Sequence, residues 1–206
     1  IVADEGMWES CQVTTWRVWG YHRGERWKSA ERLLDLLCEA VSKGGNLLLN
    51  VAPDGKGRIP EPCRQRLARM GEWLETYGEA IYGATPRKLF ETIPNGWLTG
   101  KGNDLYLILR FWESRGSLPL AGRITLPREA MLLGTDAKLT ARQDGDRIVI
   151  EGLPETPPTD LFPVLKLSFD AAPVPAPWAV DGLWMRNARR YAAWAARRGT
   201  GVWADG

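Results

Sequence analysis

Apolar residues recur at helical spacing in two windows of the chain. Leu33, Leu34, Leu37, Ala40 and Val41 share one face of a helix expected over about residues 30–43. Ser29 suits its N-cap, and Gly44-Gly45 suits its end, since glycine tolerates the left-handed conformation that follows a last turn. A second window points Leu67, Met70, Trp73, Leu74 and Tyr77 inward, with Pro60 and Pro62 at its first turn and Gly78 as its cap. Between the two, Asn46-Leu47-Leu48-Leu49-Asn50-Val51 is short and apolar without alternation, which predicts a strand buried on both faces in a parallel sheet. Pro53-Asp54-Gly55 turns the chain after it, and Ala80-Ile81-Tyr82 reads as another short strand. Residues 1–28 are rich in Trp, Gly and polar side chains and read as a strand end followed by a long loop. Helix, strand, helix and strand with short connections predict α/β winding.

From about residue 85 the period changes. Leu105–Leu109, Gly122–Leu126, Ala137–Gln143, Arg147–Ile150 and Val164–Phe169 read as strands, separated by turn signals such as Lys101-Gly102-Asn103-Asp104 and Asp144-Gly145-Asp146. Short strands in succession with no helical window predict an antiparallel β-sandwich. Pro173, Pro175 and Pro177 mark a linker over residues 171–179, and Arg186, Arg189, Arg190, Arg197 and Arg198 give the end of the chain the character of a basic tail.

Composition narrows the function by exclusion. Lys and Arg number 27 against 25 Asp and Glu, a net charge of +2, so overall charge makes no case for a nucleic-acid partner. Cys11, Cys38 and Cys63 are odd in number and widely spaced, which supports neither a zinc site nor a disulfide framework. No apolar run approaches the ~18 residues of a membrane span. Gly44-Gly45-Asn46 follows a helix and precedes a strand, the reverse of a phosphate-binding loop. Asp54, Asp144 and Asp146 sit in turns without metal-ligand spacing, so neither metal nor cofactor is expected. The opening Ile1-Val2-Ala3-Asp4 reads as a fragment boundary or a processed start. The 11 tryptophans suit a core, and also the aromatic walls of a sugar pocket.

Several words in the first 83 residues are more specific than their composition. They are Trp8-Glu9-Ser10-Cys11, Trp19-Gly20-Tyr21, the run Val41–Val51, Gly57-Arg58-Ile59-Pro60, Gly71-Glu72-Trp73-Leu74 and Gly78–Gly83. In this order and spacing they resemble the α-L-fucosidases of glycoside hydrolase family 29. The resemblance continues more loosely through Gly102–Leu107 and Lys166–Asp170. It implies the C-terminal portion of a (β/α)8-like barrel over residues 1–84, an antiparallel β-sandwich over 85–170, and a Pro/Ala linker with a basic tail over 171–206. The implied activity is that of a retaining exo-α-L-fucosidase acting on fucosylated glycans, in an extracytoplasmic or lysosome-like compartment. Oligomeric state stays open.

Retention needs two carboxylates roughly 5 Å apart. The resemblance places the nucleophile Asp on an earlier barrel strand, outside this chain, so the 206 residues alone are expected to be inactive. It places the acid/base in the loop after Gly20-Tyr21 and carries it onto Glu25, although a one-residue shift would put Gly24 there. Glu9 is the competing carboxylate, as a group supporting that loop or as the acid itself. Trp8 and Trp19 are the candidate aromatic walls for substrate. Asn50, at the end of its strand, suits the capping of the turn before Pro53. The alternative is a non-catalytic carbohydrate-binding or scaffolding sandwich carrying a barrel remnant.

Overall fold

Ser29 starts the first helix as the sequence predicts: its hydroxyl accepts a hydrogen bond from the Arg32 amide at 3.1 Å, satisfying one orphan donor of the first turn. The computed structural model describes residues 6–86, 96–112, 116–120, 125–145 and 147–173. The opening Ile1–Asp4, the linker beyond residue 173 and the basic tail lie outside the described residues.

Helix α1 spans Ala30–Ser42 and buries Leu33, Leu34 and Cys38 completely. It ends at Gly44, whose φ of 80° is the left-handed turn that glycine makes without strain. Gly45 follows because nothing larger fits, as a Cβ there would stand 2.4 Å from the Trp8 ring. The chain then enters β2, Asn46–Asn50, which pairs in parallel with β1, Glu9–Val13, in the register Glu9 to Asn46 through Val13 to Asn50. The parallel pairing agrees with the sequence, but burial on both faces does not. Leu47 and Leu49 pack with Leu33, Leu36 and Met70, whereas Leu48 is 50% exposed. The sheet has two strands, the helices cover one face, and no described element covers the other.

Helix α2, Glu61–Tyr77, follows Pro60 and carries Pro62 in its first turn, where a missing amide leaves no helical bond unmade. Met70, Trp73 and Tyr77 face inward. A 3₁₀ turn over Gly78–Ala80 follows, and Ala80–Tyr82 is not the strand expected from its composition. The Ile81 and Tyr82 amides both bond back to the Gly78 carbonyl, at 2.9 and 2.8 Å, so no sheet partner is needed. Ile81 inserts into the core instead, and Tyr82 stays exposed.

The remaining strands are β3 (Thr85–Pro86), β4 (Gly96–Lys101), β5 (Asp104–Leu109), β6 (Ser117–Leu120), β7 (Glu129–Leu132), β8 (Thr140–Asp144), β9 (Arg147–Glu151) and β10 (Val164–Ser168). They form two antiparallel sheets, in the orders β3-β4-β5-β10-β7 and β6-β9-β8. The strand expected over Gly122–Leu126 is not seen: residues 122–124 lie outside the described residues, and Thr125 and Leu126 belong to no strand.

The sheets face each other across Leu105, Leu107, Leu109, Leu118, Leu120, Ile148, Ile150, Leu165 and Leu167. On the opposite face of the five-stranded sheet, Tyr106, Ile108 and Val164 meet Leu34, Cys38, Trp73 and Tyr77 of the two helices. Helices, five-stranded sheet and three-stranded sheet therefore form three successive layers. The middle layer is apolar on both sides, which is why Leu105–Leu109 runs without a polar break.

Polar ties cross the helix–sheet junction. Trp73 Nε1 donates to the Phe162 carbonyl at 2.8 Å, and Thr99 Oγ1 donates to the Ala80 carbonyl at 2.7 Å. The Glu79 carboxylate accepts from Lys166 at 3.1 Å and from the Tyr106 hydroxyl at 3.2 Å. Asp35, 3% exposed on α1, accepts from Arg32 at 2.8 Å, from Trp97 Nε1 at 2.9 Å and from Arg110 at 3.3 Å. Three donors on one carboxylate meet the requirement that a buried charge be paired and hydrogen-bonded.

Candidate active site

The parallel pair gives the site its direction. Both strands end at the same level, at Val13 and Asn50, and the chain beyond β1 leaves this end as a loop that returns at Lys28. The loop is rooted like a hairpin. Thr14 donates its amide and its hydroxyl to the Asn50 carbonyl at 3.1 and 3.2 Å, and the Lys28 amide donates to the Thr14 carbonyl at 2.9 Å. Thr15 and Trp27 bridge in antiparallel fashion, and the Trp16 amide donates to the Arg26 carbonyl at 3.0 Å.

This register sets Arg17 opposite Glu25, because facing residues of an antiparallel pair lie on one side. Glu25 is the only acidic residue among residues 14–28. Its side chain is 4% exposed; Oε1 accepts from the Arg26 amide at 2.9 Å and lies 4.0 Å from Arg17 Nε. The Arg17 side chain is 67% exposed. The tip stands in solvent, with Trp19 56% and Tyr21 48% exposed and with His22 and Arg23 also exposed. Gly24 has a φ of 71°, the backbone conformation that turns the chain back toward Glu25.

Asn50 ties the tip to the strands. Its Nδ2 donates to the Trp19 carbonyl at 2.8 Å, and its Oδ1 accepts from the Ala52 amide at 2.9 Å, holding Ala52 at a φ of 47°. The expected turn capping is thus joined by a link to the loop that sequence reasoning did not identify. Lys28 was also missed. It is 7% exposed, its ammonium donates to the carbonyls of Val13 (2.7 Å) and Thr15, and it lies 5.2 Å from the centre of the Trp16 ring. Burial, reinforced by the nearby Arg32 charge, holds this ammonium below the usual lysine range. The signal for both residues was the strand direction, which places Asn50 and the loop root at one end.

Trp8 and Glu9 stand elsewhere. They lie at the start of β1, whose five residues at about 3.3 Å each separate its ends by about 13 Å. Trp8 packs on Gly45 and donates Nε1 to the Lys43 carbonyl at 3.2 Å, a brace between the helix end and the strand start. Glu9 is exposed. Trp19 and Glu25 are therefore brought to the C-terminal ends of the strands together. The direction of the strand sets Trp8 and Glu9, expected as a pocket wall and as a supporting or alternative acid, at the end of β1 opposite to the one from which the loop of Trp19 and Glu25 leaves.

A family model described as alpha-L-fucosidase matches residues 2–79, a stretch that includes both parallel strands, the loop and both helices. The chain belongs to the α-L-fucosidase family. It is 34% identical over 160 residues to the tissue α-L-fucosidase of Bos taurus, an alignment covering 75% of this chain and 34% of that protein. Among solved structures, α-L-fucosidase isoenzyme 1 from Paenibacillus thiaminolyticus superposes with a TM-score of 0.70 at 31% identity, covering 80% of this chain and 40% of that one. An α-L-fucosidase from Bacteroides thetaiotaomicron, described as a trapped covalent intermediate with 2-fluoro-fucosyl fluoride, gives 0.68 at 27% identity, covering 79% and 38%. The chain thus spans about a third of the curated relative's length. The likeness to the solved fucosidases covers most of the chain and so includes strands beyond residue 79.

Proposed function

We propose that this chain supplies the C-terminal part of a retaining exo-α-L-fucosidase that removes terminal α-L-fucose from fucosylated glycans. Residues 1–84 contribute closing elements of a (β/α)8-like catalytic barrel, residues 85–170 a β-sandwich behind it, and residues 171–206 a linker and tail. The observation that carries this reading is the Glu25 carboxyl, held at the C-terminal ends of two parallel strands with helices on their outer face. Catalytic groups of such barrels stand at that end.

Glu25 acts as acid and then base. A nucleophilic Asp from a segment outside these residues attacks the anomeric carbon as Glu25 protonates the departing glycosidic oxygen. The C1–O bond breaks and a fucosyl–aspartyl ester forms. Glu25, now a carboxylate, takes a proton from water as that water attacks C1, and the bond from C1 to the aspartyl oxygen breaks to return the Asp carboxylate. Fucose leaves with its α configuration, and Glu25 is again protonated. The covalent intermediate named for the Bacteroides relative supports a double displacement of this kind. The Glu25 backbone is fixed by the hairpin root, and Trp19 offers an exposed aromatic face on the same loop.

An aryl α-L-fucoside tests the reading. The full-length protein containing this chain hydrolyses it, and the 206 residues alone do not. Robust turnover by the 206 residues would overturn the division of the carboxylates. Failure of both to hydrolyse, with fucosylated glycan still bound, would turn the assignment to a binding module.

A further inference from the structure

Lys28 is a buried cation with no carboxylate against it among the described residues, an unusual arrangement because lysine is rarely buried unless paired. Its charge is met by two carbonyl oxygens and an aromatic face. Val13 contributes the last carbonyl of β1, Thr15 contributes a carbonyl on the outgoing limb of the loop, and the Trp16 ring lies 5.2 Å from the ammonium. Two of the three N–H donors go to the carbonyls, and the charge as a whole faces the ring. The Lys28 backbone is tied as firmly: its amide donates to Thr14, and its carbonyl accepts from Arg66 Nε on α2 at 2.6 Å. One residue thus joins the strand end, both limbs of the loop and the second helix, three positions after Glu25.

The geometry points to Lys28 as a positioning residue for the general acid, setting how far Glu25 reaches toward the glycosidic oxygen by clamping the root of its loop. This inference rests on the assignment of Glu25 made above and goes beyond it, since Lys28 touches no reacting atom. A misplacement of about 1 Å in a proton-transfer group lowers the rate about 10²-fold. Loss of the clamp therefore falls on cleavage of a leaving group that needs the acid and spares cleavage of one that does not.

The test compares two leaving groups in the full-length enzyme. Lys28→Met keeps the aliphatic stem and removes the donors. It is expected to lower kcat/KM, which reports the bond-breaking first step, on a fucosyl disaccharide by about 10- to 100-fold while changing kcat/KM on an activated nitroaryl α-L-fucoside by no more than about threefold. Arg66→Ala guards against a variant that fails to fold, because Arg66 is half-exposed on α2 and loses the tie to the Lys28 carbonyl and one exposed bond to the Pro62 carbonyl within its own helix. The same selective loss, about three- to tenfold, is expected there. An equal loss on both substrates in either folded variant, or no loss on either, would overturn the inference. Glu25→Ala measured alongside separates this from failure of the underlying assignment: if that variant shows no leaving-group selectivity, the acid role falls and the clamp with it.

Discussion

Glu25→Ala in the full-length enzyme is expected to lower kcat on a natural fucosyl disaccharide by about 10²- to 10⁴-fold, the contribution of a positioned general acid. A sugar leaves as a poor anion unless its oxygen is protonated as the bond breaks. An activated nitroaryl leaving group needs little such help, so cleavage of an aryl fucoside is largely spared and its intermediate accumulates. Azide restores turnover on that substrate, since a small anion entering the space of the lost carboxyl attacks without a base and yields a fucosyl azide of retained configuration. The surroundings of Glu25 favour a clean result. Its side chain is shielded, the Arg26 amide contact is local, and no other residue of the loop is acidic. Equal losses on both substrates without azide rescue would remove Glu25 from the acid/base role.

Asp35→Ala is expected to be the most damaging single change to stability. It strips Arg32, Arg110 and Trp97 Nε1 of a shared acceptor at a junction that is 3% exposed. Removing the carboxylate that a buried ionic cluster shares is a loss of about 3–5 kcal/mol. For a chain of this size that lowers the unfolding midpoint by roughly 10 °C. Asp35→Asn retains an acceptor for the indole and is expected to fall between. Thermal unfolding of the three proteins checks the order, and a loss below about 1 kcal/mol for Asp35→Ala would show that the cluster does not hold the helix to the sheet. Leu34 and Cys38, which carry the apolar part of that contact, are untouched by either change.

What was legible in the sequence was local. Ser29, the leucine face of α1 and the Gly44-Gly45 stop each act within a turn or two of the backbone, and so do the apolar runs of β5 and β10. The strands that were not read carry residues whose propensity points elsewhere. β4 holds Gly96 and Gly100, β6 holds Pro119, and the Glu-Ala-Met-Leu of β7 suits a helix. Their place in the sheets comes from tertiary pairing. Asp35 reads as one polar position of an amphipathic helix, and nothing near it in sequence announces Arg110, 75 residues later.

The site divides along the same line. Glu25 is proposed on a family resemblance, because the Trp- and Arg-rich limbs of its loop show no strand-like alternation and hide the hairpin root. Trp8 and Glu9 were assigned to the site from the same words, yet a sequence word does not state which end of a strand it occupies. The parallel register does: it sends Glu9 to the start of β1 and the loop to its finish. Lys28 had no signal of its own, since a lysine before a helix cap is ordinarily a solvated charge.

The most direct test of the whole account is a structure of the full-length enzyme with an unreacted fucosyl glycoside or a fucose-mimicking iminosugar bound. The account predicts a sugar seated over the C-terminal ends of β1 and β2, with the Glu25 carboxyl within about 2.6–3.2 Å of the glycosidic oxygen, or on the side of the anomeric position from which that oxygen departs in the iminosugar complex. A sugar bound at the other end of the strands, beside Trp8 and Glu9, or one reached by a different acid while Glu25 stays turned into its loop, would contradict it.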